Sequence, residues 1–68
     1  MTDNVSYTFP GGAEIVVPTA LVPRKNEVVW VEGRPYRVAV VNYDIKIAHT
    51  GETRGTTAMV ELEPIGEV

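Results

Sequence analysis

Apolar and polar residues alternate along residues 36–47, and the neighbouring stretch, residues 27–32, is a short apolar run between two glutamates. A period of two is typical of β-strands that have one face against a core and the other in water. The polar break at residues 32–35 contains Gly33, which suits a type II′ turn, and Pro35, which cannot donate the closing hydrogen bond. We therefore expect a β-hairpin with an open or four-residue turn and the Pro35 nitrogen at an unpaired edge.

A change of phase divides the second stretch. Its apolar residues fall on even positions up to Val40 and on odd positions from Val41 to Ile47. Such a shift moves apolar side chains from one face of a strand to the other, as a β-bulge or sharp bend does. Bent strands that serve two sheets are how small barrels close.

Three more strands follow from the same alternation. Residues 5–9 and 13–17 flank the turn sequence Pro10-Gly11-Gly12 and predict a first hairpin. Residues 56–64 predict a last strand, with Ala58, Val60 and Leu62 inward and Glu61 and Glu63 in water. A polar turn precedes the central hairpin, where Asn26 is the residue best suited to a left-handed conformation.

Helix is not expected. Five prolines and six glycines punctuate a chain that is rich in β-branched and aromatic residues. An open sheet without a helix to cover it would leave apolar faces in water. The pattern thus predicts one all-β domain, residues 1–68, in the form of a small SH3-like barrel of about five short antiparallel strands. One or both of the terminal strands, residues 5–9 and 58–62, are expected to be edges through which a homodimer would form.

The amino-acid composition excludes several kinds of binding site and partner. The chain has 68 residues, so it forms one domain with a thin core, and it contains no cysteine to make a disulfide or a thiolate zinc site. A formal net charge of −3 works against binding to phosphate backbones, so nucleic acid is not the expected partner. We also expect no signal peptide and no membrane segment, since no apolar run approaches ~20 residues.

A catalytic site is not expected. Ser6 is the single serine and His49 the single histidine, and the first lies in a predicted strand while the second lies in a predicted loop. A nucleophilic triad requires the two to meet with an orienting acid. Glu61 and Glu63 fall on the solvated face, and His49 lacks any metal-ligand spacing. We expect neither an enzyme nor a cofactor or metal.

The favoured binding residues are Trp30, Arg34, Tyr36 and Arg37. Trp30 and Tyr36 are expected to face each other across the central hairpin, and Trp, Tyr and Arg are the residue types enriched in interface hot spots. The alternative is that Trp30 fills the core and Tyr36 lies at its rim. If Val29 points inward, Trp30 is exposed; if Trp30 points inward, the patch disappears.

A second candidate is the polar loop predicted at residues 48–55. Its donors could hold a phosphate or carboxylate, which makes an anion- or nucleotide-sequestering protein an alternative function. The ordinary alternative is a plain hairpin connection. The candidate anion-binding residues are His49, Thr50, Thr53 and Arg54.

The middle third of the chain resembles small proteins of tailed bacteriophages. The residues that carry the resemblance are Pro23, Glu27, Val31, Gly33, Arg34, Tyr36, Val38 and the pair Tyr43-Asp44. The resemblance implies a non-enzymatic phage accessory protein on an SH3-like barrel, found in the cytoplasm of the bacterial host or on the virion. It would contact either a phage structural protein during assembly or a bacterial host protein that it inhibits.

The same hairpin is similar to the KOW-type SH3 barrels of transcription and ribosomal proteins. That likeness implies nucleic-acid binding as another alternative. The chain departs from the pattern, because its turn carries Lys25-Asn26-Glu27 and its six basic residues are outnumbered by nine acidic ones.

Overall fold

Five β-strands make up the structure, a computed structural model that describes residues 4–65 apart from the side chain of Thr53. The described part of the chain contains no helix, so the all-β prediction is confirmed. The two last strands are far longer than the short strands expected. The strands are β1 (Asn4–Thr8), β2 (Glu14–Val17), β3 (Val28–Val31), β4 (Arg34–Ile47) and β5 (Thr53–Pro64).

All five strands belong to one sheet in the order β2-β1-β5-β4-β3. Three of the four pairings are antiparallel, but β1 runs parallel to β5, so the prediction of a purely antiparallel sheet is wrong at that pair. The parallel pair joins the β1–β2 hairpin to the β3–β4–β5 meander. It also places β1 and β5 inside the sheet, which corrects the expectation that they are its edges.

The sheet curls into a half-barrel without closing. Within residues 4–65, β2 and β3 lie at opposite ends of the strand order and do not pair with each other. Closure was expected because an open sheet leaves apolar surface in water, and this sheet does leave such surface uncovered. The molecule measures 52 × 20 × 18 Å, since β4 and β5 continue as a ribbon beyond the other strands.

The core lies on the concave face, where β1, β4 and β5 are adjacent. The inward orientation predicted for the last strand is confirmed, because Ala58, Val60 and Leu62 are buried while Glu61 and Glu63 are exposed. Val5 and Val38 complete the buried cluster. Phe9, Val22 and Tyr36 are among the half-buried side chains that pack around it.

A bulge in β4 brings two apolar segments onto the concave face. The register with β5 shifts between Val38 and Val40, so Val38 lies opposite Leu62 and Val41 lies opposite Val60. Val40 points outward and is exposed. The predicted bulge is thus confirmed, one residue earlier than the phase change placed it.

The turn between β3 and β4 is tighter than expected. Val31 pairs with Arg34, which leaves only Glu32 and Gly33 in the loop, and both have positive φ, 52° and 80°. Positive φ at both central residues defines a type I′ turn, with Gly33 in the second position. The expectation of an open turn is wrong, because Pro35 lies beyond the closing pair.

Two further turns have the backbone conformations that their sequences predict. Asn26 has φ 77°, which confirms the left-handed position predicted for it, and its N–H donates to the Val38 carbonyl at 2.8 Å. Gly11 has φ 97°, and the Gly12 N–H donates to the Phe9 carbonyl at 3.0 Å. Proline followed by a glycine with positive φ is typical of a type II turn.

We expect Val38→Ala to lower the free energy of unfolding by about 2 kcal/mol, because Val38 is fully buried and truncation leaves a cavity in a thin core. Urea unfolding followed by circular dichroism measures the change. Val16→Ala is the matched control, since Val16 is 59% exposed and its truncation should cost no more than about 0.5 kcal/mol. Equal losses for the two variants would contradict the placement of the core.

We expect Glu32→Asn to raise the free energy of unfolding by about 1 kcal/mol, because asparagine adopts a left-handed conformation more readily than glutamate and favours type I′ turns. The melting temperature measures this gain, with about 4–8 °C expected for a chain of this size. Glu32→Gln is the control, since it removes the same charge without improving the turn. A rise of the same size in both variants would assign the effect to charge.

Candidate functional site

Strand β3 presents a tryptophan on the convex face at one edge of the sheet. Because side chains alternate along a strand, the inward packing of Val29 against the core directs Val28 and Trp30 outward. Trp30 is 67% exposed and Val28 is 48% exposed. The structure therefore resolves the choice left open by the sequence, and Trp30 is a surface residue.

Trp30 and Tyr36 lie on opposite faces of the hairpin. The register pairs Trp30 with Pro35 and Tyr36 with Val29, so the expectation that the two rings face each other is wrong. Tyr36 instead packs edge-to-face on Phe9, with ring centroids 5.1 Å apart and an interplanar angle of 69°. This geometry is a favourable one for aromatic pairs and holds Tyr36 at the rim of the core.

The two arginines of the predicted set are separated in the same way. Arg37 lies on the convex face, opposite Val28 and diagonal to Trp30 across the hairpin. Its other cross-strand neighbour is Glu63. Arg34 shares the phase of Tyr36. The structure thus brings together Trp30, Val28 and Arg37 as one convex patch, here called the Trp30 patch.

Arg34 and Tyr36 border a separate cleft at the end of the sheet. The cleft has a volume of about 300 Å³ and is open to solvent, and its other lining residues are Pro35, Pro64 and Ile65. One cationic side chain beside proline, aromatic and aliphatic surfaces makes this an apolar recess with a single charge.

The predicted anion-binding residues are only partly together. The loop is shorter than residues 48–55: the Ala48 N–H donates to the Glu52 carbonyl at 2.8 Å, and Thr53 and Arg54 belong to β5. His49 and Thr50 are exposed in the turn, and the Thr50 hydroxyl donates to the Glu52 carboxylate at 3.4 Å. That carboxylate would compete with an anion for the Thr50 donor.

Ser6 has a structural partner. It is buried in β1, and its hydroxyl donates to the Glu14 carboxylate at 2.9 Å. Ser6 is aligned with Met59, six residues along β5 from Thr53, where the turn carrying His49 ends. At the rise of a β-strand this separation is about 20 Å, far beyond the reach of a nucleophile and its base.

Burial raises the pKa of the Tyr7 phenol above its ordinary value of 10.0. The shift is away from neutral pH, so the phenol stays protonated at pH 7. A general acid or base works best when its pKa lies near the operating pH. Tyr7 packs against the core cluster, which is the source of this burial.

Within residues 4–65, no three His, Asp or Glu side chains lie close enough to hold a metal ion. The same residues include no helix with the length and apolar character needed to cross a membrane.

A second apolar surface was missed by the sequence interpretation. Tyr43, Ile45 and Ile47 continue the concave phase of Val41 along the ribbon, and all three are exposed: Tyr43 lies opposite Ala58 at the border of the core cluster, and Ile45 and Ile47 lie beyond it. The alternation that identifies them is the same one that identifies core residues. On the other face of the ribbon, the Lys46 ammonium lies 3.3 Å from the Asp44 carboxylate.

We expect acrylamide to quench the fluorescence of the folded chain nearly as well as that of the urea-unfolded chain, because the single tryptophan is Trp30 and it is exposed. Stern–Volmer constants at low micromolar concentration measure this accessibility. A several-fold lower constant in the folded chain would place Trp30 inside the protein.

The chain matches no protein-family model, no curated protein and no solved structure. Its function is therefore inferred from its own surface.

Proposed function

We propose that this chain is a non-enzymatic protein-binding module and that the Trp30 patch is its contact surface. The observation that supports the proposal is the exposure of the single tryptophan on an edge strand, beside exposed Val28 and next to Arg37. A small domain buries little apolar surface, and a large aromatic ring that is exposed to water adds nothing to its core. The same ring, once covered by a partner, stabilises a complex.

The energetics fit this role. A tryptophan buries about 150–250 Å² when fully covered, so covering the exposed two thirds of Trp30 stabilises a complex by about 2–4 kcal/mol. Val28 adds apolar area on the same face, and Arg37 supplies donors at the border of the patch. An apolar centre with a polar border is the usual arrangement of an interface hot spot.

The proposed setting is a bacteriophage accessory protein, active in the host cytoplasm or on the virion. Its support is the resemblance of the Pro23-to-Asp44 region to small proteins of tailed phages, and the proposed partner is a phage structural protein or a bacterial host protein that it inhibits. Assignment to the SH3-like barrels belongs to the same proposal. The curled five-stranded sheet supports a barrel-like class, while its parallel β1–β5 pair and open edges are features such an assignment has to accommodate.

Binding of a small anion or nucleotide is the second candidate. The observation in its favour is Arg34 at the border of the 300 Å³ cleft, since a guanidinium pairs well with phosphate or carboxylate. The loop residues His49 and Thr50 lie at the far tip of the ribbon, so they do not join this cleft. Nucleic-acid binding of the KOW type has weaker support, because the net charge is −3.

We expect Trp30→Ala to abolish capture of the protein partner from a bacterial lysate, because the substitution removes most of the apolar area of the patch. Affinity pull-down with mass spectrometry of the recovered protein measures this, and urea unfolding should show a change within about 1 kcal/mol, since the residue is exposed.

Leu21→Ala is the matched control for that experiment. Leu21 is 82% exposed and lies outside the patch, so the variant should recover the same partner as the unmodified chain. Recovery of that partner by Trp30→Ala would contradict the proposal, and so would an unmodified chain that recovers no partner and does not associate with itself.

A further inference from the structure

The outer edge of β3 offers backbone hydrogen-bonding groups at two defined residues. In a hairpin with a two-residue loop, the pair that closes the loop is hydrogen-bonded, and such pairs then alternate with non-bonded ones. Val31–Arg34 and Val29–Tyr36 are therefore the bonded pairs, and Trp30–Pro35 is a non-bonded pair. It follows that the N–H and C=O groups of Val28 and Trp30 point away from β4, toward the open side.

Strand β3 carries none of the charges, prolines or bulges that many edge strands use against pairing with another chain, and its four residues confine such a pairing to a short segment. Natural edge strands carry charges, prolines or bulges, or are covered by another element. Strand β3 is Val28-Val29-Trp30-Val31, with no charge and no proline, and it is the last strand in the sheet order. The other edge, β2, begins with the charged Glu14 and is followed by Pro18.

We propose that the partner of the β3 edge is a second copy of this chain, paired antiparallel about a two-fold axis at Val29. The inference rests on the proposed function, because it names the partner of the strand that carries the Trp30 patch. In this arrangement Val28 of each copy pairs with Trp30 of the other, and the two half-barrels form one continuous sheet.

The position of the axis follows from the outward backbone groups. A register centred on Val29 makes two bonded pairs, Val28–Trp30 and its symmetry mate, and thus four hydrogen bonds between the copies. A register centred on Trp30 would instead require Glu32, whose φ of 52° places it in the turn. Only the register centred on Val29 gives hydrogen-bonding partners to the outward backbone groups of Val28 and Trp30 in both copies. All of these partners are residues of β3.

The exposed side chains of β3 complement this pairing. On the convex face, Trp30 of one copy packs beside Val28 of the other, so the two most exposed side chains of the strand cover each other. Exposed Lys25 precedes β3 and exposed Glu32 follows it. Exposed Glu27 lies directly before β3, so in the Val29 register Glu32 of each copy falls opposite Asn26 of the other, between Lys25 and Glu27.

Sedimentation equilibrium of the full chain tests the dimer. The unmodified chain should sediment as a reversible monomer–dimer mixture. Val28→Lys should raise the dissociation constant of the dimer at least about tenfold, because it places a charge on the pairing edge. Val16→Lys makes the same change at an exposed valine of β2 and should leave the constant within about twofold. A monomer at all concentrations up to several hundred micromolar, or loss of the dimer in Val16→Lys alone, would overturn the inference.

Oxidative cross-linking of Val29→Cys tests the register. The axis places residue 29 of each copy in a non-bonded pair, with Cα atoms about 4.5 Å apart, which a disulfide spans. The chain has no other cysteine, so a covalent dimer on a non-reducing gel should appear for Val29→Cys and not for Val16→Cys. The opposite result would exclude pairing about Val29.

The outcomes separate this inference from the proposed function. A chain that stays monomeric and still captures a lysate protein through Trp30 keeps the function and loses the second copy as partner. If the chain does not dimerise and Trp30→Ala captures the same proteins as the unmodified chain, both the proposed function and the dimer are contradicted.

Discussion

The long antiparallel pairing of β4 with β5 is the constraint on which the rest of the structure depends. It runs from Tyr36–Pro64 at one end to Ile47–Thr53 at the other, and both flanking strands are attached to it. The bulge between Val38 and Val40 keeps this ribbon amphipathic across the change of phase, because it returns Val41 to the concave face that Val38 occupies. Without the extra residue the distal half of β4 would turn Asn42, Asp44 and Lys46 to the concave face. The bulge thus keeps the apolar residues on both sides of it on the face that holds the core cluster.

The exposure of Trp30 depends on the two-residue turn, Glu32-Gly33, that connects β3 to β4. A two-residue loop fixes the register of β3 on β4, and a slip of one residue would exchange the faces of all four β3 side chains. Positive φ at both Glu32 and Gly33 therefore determines the surface on which the proposed function rests. It sends Val29 into the core and Trp30 into water, and it also decides which backbone groups of β3 face the open side. The patch and the pairing edge are two consequences of the same turn.

Sequence patterns could predict the strands, the bulge and the inward residues of β5, because alternation reports directly which residues share a face. They could not predict the parallel β1–β5 pair, since alternation does not encode the neighbour of a strand. The orientation of Trp30 was undecided for a related reason: Val28, Val29, Trp30 and Val31 are all apolar, so β3 has no polar phase to mark its outer face. Pro35 was misinterpreted as part of the loop because its place relative to the closing pair is a matter of register. Tyr43, Ile45 and Ile47 show the converse limit, because an apolar phase identifies a face but not whether anything covers it.

An open half-barrel with uncovered apolar residues is a costly arrangement for a chain this small. Its buried cluster holds three valines, one alanine and one leucine, and small domains bury too little surface to be more than marginally stable. A partner that binds only the folded state adds its binding free energy to that of folding. Pairing along β3 would extend the sheet that holds the core. The added hydrogen bonds would oppose fraying of the β3–β4 hairpin, which carries Val29 and Tyr36. Folding and association would then be coupled through one strand, and the proposed complex would cover the apolar surface that the isolated chain leaves exposed.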